Sequence, residues 1–201
     1  MTEYIAHRRN TVDELAQTDR KYGVEMDLRS DGEKLIVHHD PLKGGETFES
    51  WLDAYSHGTI ILNVKEEGLE AEILKLLKDR GIETFFFLDQ SFPFLIKWSR
   101  LGESRCAVRV SEFESIDTAL ALAGKVDWVW VDCFSKFPLQ ENEAAKLRAA
   151  GFKLCIVSPE LQGRDAQIEI PQMNLTLNEL NIVPDAICTK RPDIWEAARK
   201  P

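Results

Sequence analysis

Two histidines, two carboxylates and an arginine stand at or near the ends of predicted strands in the first fifth of the chain. They are His7, Arg8, Glu25, Asp27 and His39. Residues two apart in a strand point to the same face, so Glu25 and Asp27 project together. Adjacent carboxylates repel unless a cation or a shared proton neutralises them, and a hard divalent metal is the simplest solution. Because histidines carry protons near neutral pH, the pattern predicts metal-assisted chemistry on a phosphate ester.

A repeated unit of helix, glycine and apolar strand must position these residues. Glycine closes the last turn of several predicted helices, at positions 23, 81, 102, 124 and 151. The strands are predicted at residues 4–7, 24–28, 59–64, 84–88, 105–110, 127–131, 153–157 and 185–189. Eight strands alternating with helices predict an α/β fold, a compact (β/α)8 TIM barrel forming one domain over residues 1–201. An open doubly wound sheet is the alternative, but no glycine-rich phosphate loop follows any strand.

Two segments depart from the repeat. Residues 35–37 and the glycine-rich residues 43–45 form an insertion after the second strand. Residues 162–171 lack helical periodicity, so the seventh crossover is the least well defined.

Active sites of such barrels lie at the carboxyl ends of the strands. The polar residues there are His7, Glu25, Asp27, Asn63, Lys65, Asp89, Arg109, Asp132, Ser158 and Thr189. Charges near a barrel rim are costly unless they are paired or bound to a metal, which favours a site over a purely structural role.

The composition limits the classes of partner that the chain is expected to bind. The net charge of −9 argues against nucleic acid, so a local pocket or a metal must supply any preference for phosphate. We read no signal peptide and no membrane-spanning segment, which predicts a cytoplasmic protein. The four cysteines show no metal-binding spacing and are predicted to be buried free thiols.

The opening and closing segments resemble the glycerophosphodiester phosphodiesterases. That family opens with His-Arg-Gly, Glu-Asn-Thr, Gly-x-x-x-Ile-Glu-x-Asp-Val, Asp-Gly and His-Asp. This chain has, in the same order, His7-Arg8, Asn10-Thr11, Gly23, Glu25-Met26-Asp27, Asp31-Gly32 and His39-Asp40. Its last strand, ending in Thr189-Lys190-Arg191-Pro192, resembles the closing Asp-Gly-Ile-x-Thr-Asp-x-Pro of the family.

The resemblance implies a divalent cation, Mg²⁺ or Ca²⁺, bound by Glu25 and Asp27, with Asn63 at the position of a third carboxylate ligand. It also implies that His7 and His39 are the general acid and base. Arg8 would bind the substrate phosphate, and Lys65 would bind it and stabilise developing negative charge. The implied substrate is a glycerophosphodiester or another small phosphodiester.

Two departures from the family pattern keep other functions open. Arg9 replaces the glycine of His-Arg-Gly, and Asn63 replaces an acidic residue. The main alternative is a non-catalytic or weakly active phosphodiesterase-like binding protein that has lost a competent metal site. Separately, Glu25 and Asp27 could pair with Arg8 and Lys65 as a structural ion network. A different barrel enzyme acting on a sugar phosphate ranks last. The leaving alcohol, the metal and the oligomeric state stay open.

Overall fold

The computed structural model describes residues 1–32 and 34–199. Its strands are β1 (Glu3–Ala6), β2 (Gly23–Asp31), β3 (Lys34–Val37), β4 (Glu46–Thr47), β5 (Ile60–Val64), β6 (Phe85–Leu88), β7 (Ala107–Val110), β8 (Trp128–Val131), β9 (Lys153–Val157) and β10 (Ala186–Thr189). Its α-helices are α1 (Val12–Gln17), α2 (Phe48–Ala54), α3 (Glu70–Asp79), α4 (Phe92–Arg100), α5 (Ile116–Leu120), α6 (Glu141–Ala149), α7 (Ala166–Glu179) and α8 (Pro192–Ala198).

Eight parallel strands form a curled sheet in the order β6-β5-β2-β1-β10-β9-β8-β7. The eight predicted strands are confirmed, with ends that shift by a few residues. The first and last strands pair with each other, β1 with β10, which an open doubly wound sheet does not do. The end strands β6 and β7 meet at one bridge between Phe87 and Cys106, where Phe87 N–H donates to Arg105 O at 2.8 Å.

The insertion after the second strand is an antiparallel extension of the sheet. β2 continues to Asp31, beyond the predicted end at residue 28, because its last residues pair with β3, from Leu28 with Val37 to Asp31 with Lys34. β3 then pairs with β4, which leads into α2. The insertion therefore extends β2, the strand that carries Glu25 and Asp27, by an antiparallel pairing beyond the parallel sheet.

The buried apolar side chains form two layers, one on each face of the sheet. Val24, Met26 and Leu28 pack in the layer between sheet and helices, as their alternation with Glu25 and Asp27 predicts. The concave face holds a second cluster that includes Ile5, Ile61, Phe86, Trp128 and Cys188. Phe86 stacks on Trp128 with ring centroids 4.4 Å apart, so these aromatic residues are core.

The seventh crossover is helical where the sequence shows no periodicity. A 3₁₀ turn spans Pro159–Gln162, and α7 begins at Ala166 with Asp165 as its cap, accepting from the N–H groups of Gln167 and Ile168. The apolar periodicity of α7 is weak because the helix buries the polar Asn174 and exposes the apolar Ile168.

The four cysteines are buried and unpaired, as predicted. Burial raises the pKa of each thiol. No helix in residues 1–32 or 34–199 is long and apolar enough to cross a membrane.

Candidate active site

A cavity of about 200 Å³ opens at the carboxyl ends of the parallel strands. Its lining residues are His7, Arg8, Glu25, Asn63, Lys65, Leu88, Asp89, Arg109, Trp130, Asp132, Val157, Leu161, Gln162 and Lys190. Five of the predicted site residues are therefore brought together: His7, Arg8, Glu25, Asn63 and Lys65. Asp27 lies immediately beside them, because it is the register partner of Asn63 across β2 and β5.

Glu25, Asp27 and Asn63 form a buried cluster of oxygen atoms. Glu25 and Asp27 are each 1% exposed, and Asn63 is 7% exposed. Asn63 Nδ2 donates to Glu25 Oε1 at 2.9 Å, and the backbone N–H of Arg8 donates to Glu25 Oε2 at 2.8 Å. Asn63 Oδ1 is buried without a hydrogen-bond donor, and Asp27 Oδ1 has no hydrogen-bond donor but forms an ion pair with Lys65 Nζ at 3.3 Å. The cluster thus holds one acceptor oxygen that lacks the partner a buried polar atom needs, beside a second oxygen whose partner is an ammonium group.

Asn10 fixes Asp27 from the side of β1. Its Nδ2 donates to Asp27 Oδ2 at 2.8 Å, and Asp27 N–H donates to Asn10 Oδ1 at 2.9 Å. Asn10 lies in the loop between β1 and α1. Glu14 anchors this loop, because its carboxylate accepts from the N–H groups of Asn10 and Thr11 in the capping box of α1. This reciprocal pair sets the direction of the Asp27 carboxylate.

Two cations flank Asp27. Lys65 Nζ lies 3.3 Å from Asp27 Oδ1, and Arg8 Nε lies 3.8 Å from Asp27 Oδ2. Arg8 adopts φ 53°, a strained left-handed conformation for a residue other than glycine. This turn lets its N–H reach Glu25 while its side chain reaches Asp27.

Burial shifts two pKa values in opposite directions. Burial and the charge of Asp27 together raise the pKa of Glu25 to about 7. Burial, together with the charges of Arg8 and Lys190, lowers the pKa of His7 to about 3. His7 Nε2 lies 3.7 Å from Glu25 Oε2. Neutral His7 therefore faces a carboxyl group that titrates near neutrality.

An alternating row of charges continues around the rim. Lys65 Nζ is 3.3 Å from Asp89 Oδ2, and Arg109 bridges Asp89 and Asp132, with Nη1 2.5 Å from Asp132 Oδ2. Gln162 Nε2 donates to Asp132 Oδ1 at 2.7 Å. These pairs hold Asp89, Arg109 and Asp132 in the cavity wall, in keeping with their predicted places at strand ends.

His39 stands apart from the other predicted residues, since it is not among those that line the cavity. Its side chain is 40% exposed, and its Nδ1 lies 2.9 Å from Asp40 Oδ1. Its loop follows β3 and is tied to the site through the backbone, where His38 N–H donates to Asp27 O at 3.0 Å.

The β10 side of the cavity is built on a buried network. Glu160 Oε1 accepts from Thr189 Oγ1 at 2.6 Å and from Lys190 N–H at 2.9 Å. Ser158 Oγ donates to the other oxygen of Glu160 and accepts from Trp195 Nε1 at 2.8 Å. Ser158 and Thr189 are thus scaffold residues that fix the backbone of Lys190.

The donor set of the cluster fits a hard divalent cation. Carboxylate and amide oxygens are the ligands that Mg²⁺ and Ca²⁺ prefer, and the buried Asn63 Oδ1 lacks a donor. In the described residues no three His, Cys, Asp or Glu side chains are grouped to hold a metal; the third oxygen of this cluster belongs to an asparagine.

Three polar residues that shape the cavity are not among the polar residues predicted at the strand ends: Asn10, Gln162 and Lys190. Asn10 carries a sequence signal, since it belongs to the Asn-Thr motif of the resemblance. Lys190 follows a strand end, as Lys65 does. Gln162 lies at the start of the segment without periodicity, so no local pattern marks it.

The fold and the rim cavity define a class, an α/β sheet with its polar site at the strand ends, and two solved structures that match the chain share its fold. One is a glycerophosphodiester phosphodiesterase from Agrobacterium tumefaciens str. C58, with TM-score 0.69 and 16% identity over 99% of each chain. The other is a glycerophosphoryl diester phosphodiesterase from Parabacteroides distasonis ATCC 8503, with TM-score 0.69 and 13% identity over 98% of this chain and 86% of that one. The predicted resemblance is confirmed in these neighbours; at such identities the likeness is one of fold. No family model and no curated protein sequence matches the chain.

Proposed function

We propose that the chain is a metal-dependent phosphodiester hydrolase acting on a glycerophosphodiester-like or other small phosphodiester. Its scaffold would be a closed, compact (β/α)8 barrel forming one domain over residues 1–201, with β6 and β7 as the closing strands. The observation that carries the proposal is the buried oxygen cluster of Glu25, Asp27 and Asn63, of which Glu25 and Asn63 line one cavity with Arg8, Lys65 and His7 while Asp27 lies beside it.

The proposed roles combine the family resemblance with the position of each group. Glu25, Asp27 and Asn63 would hold Mg²⁺ or Ca²⁺, which would neutralise phosphate oxygens and lower the pKa of the nucleophile. Arg8 and Lys65 would bind the phosphate and stabilise the charge that builds on it. His7 and His39 would exchange protons with the nucleophile and the leaving alcohol. His39 would do so from the loop that is hydrogen-bonded to Asp27 through His38.

Hydrolysis of a panel of glycerophosphodiesters and a chromogenic phosphodiester tests the proposal. Reactions contain Mg²⁺, Ca²⁺, Mn²⁺ or EDTA, and the variants are His7→Ala and His39→Ala. His57→Ala is the matched control, because His57 Nε2 contacts Thr18 O in a loop before β5 and does not line the cavity. We expect metal-dependent cleavage that falls about 10²–10⁴-fold in the first two variants and is unchanged in the control. A folded protein without turnover under any condition contradicts the proposal.

The second candidate is a phosphodiesterase-like binding protein without turnover. The observation that favours it is the pairing of Asp27 with Lys65 and Arg8, which neutralises that carboxylate without a metal. Calorimetric binding of the same diesters in EDTA, together with absence of turnover in every metal, would favour this candidate. A small phosphodiester is the proposed partner in both cases. The cytoplasmic location stays a prediction.

A further inference from the structure

Lys190 is the cation of the cavity that differs from the others. Lys65 and Arg8 pair with Asp27, and Arg109 pairs with Asp89 and Asp132. No carboxylate in residues 1–32 or 34–199 forms an ion pair with Lys190, although it lines the same cavity. An exposed lysine without a partner is ordinary on an open surface, but a cavity wall concentrates its field on whatever enters.

The position of Lys190 is built into the fold. Its backbone N–H donates to Glu160, whose carboxylate is held by Thr189 and Ser158, and Trp195 donates to Ser158. Ser158, Thr189 and Trp195 are fully buried. The charge of Lys190 also reaches His7, where it contributes to the lowered pKa of the imidazole.

The strand order places Lys190 on the opposite side of His7 from the oxygen cluster. β10 and β2 flank β1, and β5 lies beyond β2. The β1, β2 and β5 side of the cavity therefore carries Arg8, Lys65 and the proposed metal ligands. The wall toward β8, β9 and β10 is formed by Trp130, Val157, Leu161 and Gln162, together with Lys190 and with Asp132, whose carboxylate is paired with Arg109.

We infer that Lys190 is a specificity-determining residue that binds a second anionic group, carried by one of the alcohol portions of the substrate. The inference rests on the proposed function and deepens it, since it names the substrate class as a phosphodiester with an additional carboxylate or phosphomonoester. The scissile phosphate has Arg8, Lys65 and the proposed metal as partners. A second anion at Lys190 satisfies the cation that the protein leaves unpaired. In the family that the chain resembles, an acidic residue follows the threonine that corresponds to Thr189. Lys190 therefore reverses the charge at that position.

A matched pair of substrates tests the inference. One is a glycerophosphodiester whose second alcohol is glycerol, and the other is the same diester with a phosphomonoester on that glycerol. The variants are Lys190→Gln and Lys190→Glu. Lys75→Gln is the control, because Lys75 is an exposed lysine on α3 that pairs with Glu72 outside the cavity.

We expect the unmodified protein to prefer the doubly anionic diester about tenfold in kcat/KM, through KM. Lys190→Gln should remove this preference and Lys190→Glu should reverse it, measured in each variant as the ratio of kcat/KM for the two diesters. Equal losses for the two substrates, or no loss for either, would overturn the inference.

A binding measurement separates failure of this inference from failure of the proposed function. If the unmodified protein hydrolyses neither diester, the proposed function fails, and calorimetric binding of the same pair in EDTA decides the role of Lys190. About tenfold tighter binding of the doubly anionic compound, lost in Lys190→Gln, supports the inference. Equal binding of both compounds overturns it.

Discussion

Replacing Asn63 with aspartate tests the oxygen cluster with the smallest possible change of shape. The amide of Asn63 donates to Glu25 Oε1 at 2.9 Å in a site where Glu25 and Asp27 are each 1% exposed. Asn63→Asp removes that donor and adds a third carboxylate. We therefore expect the metal-free variant to be less stable and its stability to depend on a divalent cation.

The magnitude follows from the burial of the cluster. A lost hydrogen bond to a charged group costs about 1.5–3 kcal/mol, and an uncompensated buried charge costs about 3–5 kcal/mol. The two costs overlap because the amide donor and the new charge occupy the same atom. We expect a loss of about 3–5 kcal/mol in EDTA, and a melting temperature lower by roughly 6–20 °C for a chain of this size.

Urea unfolding in EDTA and in Mg²⁺ or Ca²⁺ measures both effects. A cation present at about 100 times its dissociation constant would return about 2.7 kcal/mol to the variant. The control is Asn142→Asp, the same substitution at an exposed position on α6. An Asn63→Asp protein as stable as the unmodified chain in EDTA would show that the amide does not support Glu25. A destabilised variant that no divalent cation restores would contradict the proposed metal site.

Three further predictions concern other parts of the fold. Asn10→Ala removes both hydrogen bonds to Asp27 and should cost about 2–4 kcal/mol in urea unfolding, against less than about 0.5 kcal/mol for the exposed Asn142→Ala. Partial burial raises the pKa of Glu112, but hydrogen bonds from the backbone N–H groups of Lys136 and Ser135 outweigh it and lower the pKa to about 2. The ionised carboxylate therefore stabilises the fold above its unfolded pKa, and this stability is lost as pH falls toward 2. Glu112→Gln should therefore reduce the loss of unfolding free energy at acid pH, and an unchanged slope would contradict a stabilising role for the hydrogen bonds of Glu112. A thiol reagent at pH 8 should label none of the four cysteines in the folded chain and all four in urea, whereas labelling before unfolding would contradict their burial.

Local patterns in the sequence determined the strands and the order of the polar residues at their ends. Apolar runs preceded by glycine predict strands because backbone and side-chain preferences act over a few residues. Alternation within one strand was enough to place Glu25 and Asp27 opposite Val24 and Met26. Periodicity failed in the seventh crossover because α7 buries a polar residue and exposes apolar ones.

Only the tertiary structure decided which of those residues share a cavity and in what state of charge. It joined Gln162 and Lys190 to residues near the amino end, and it left His39 outside the lining. It also turned the amide of Asn63 toward Glu25 and desolvated His7, which lowers the pKa of that histidine to about 3. Such features depend on groups that are distant in the chain but adjacent in the fold, and on the exclusion of water from between them, which no local pattern records.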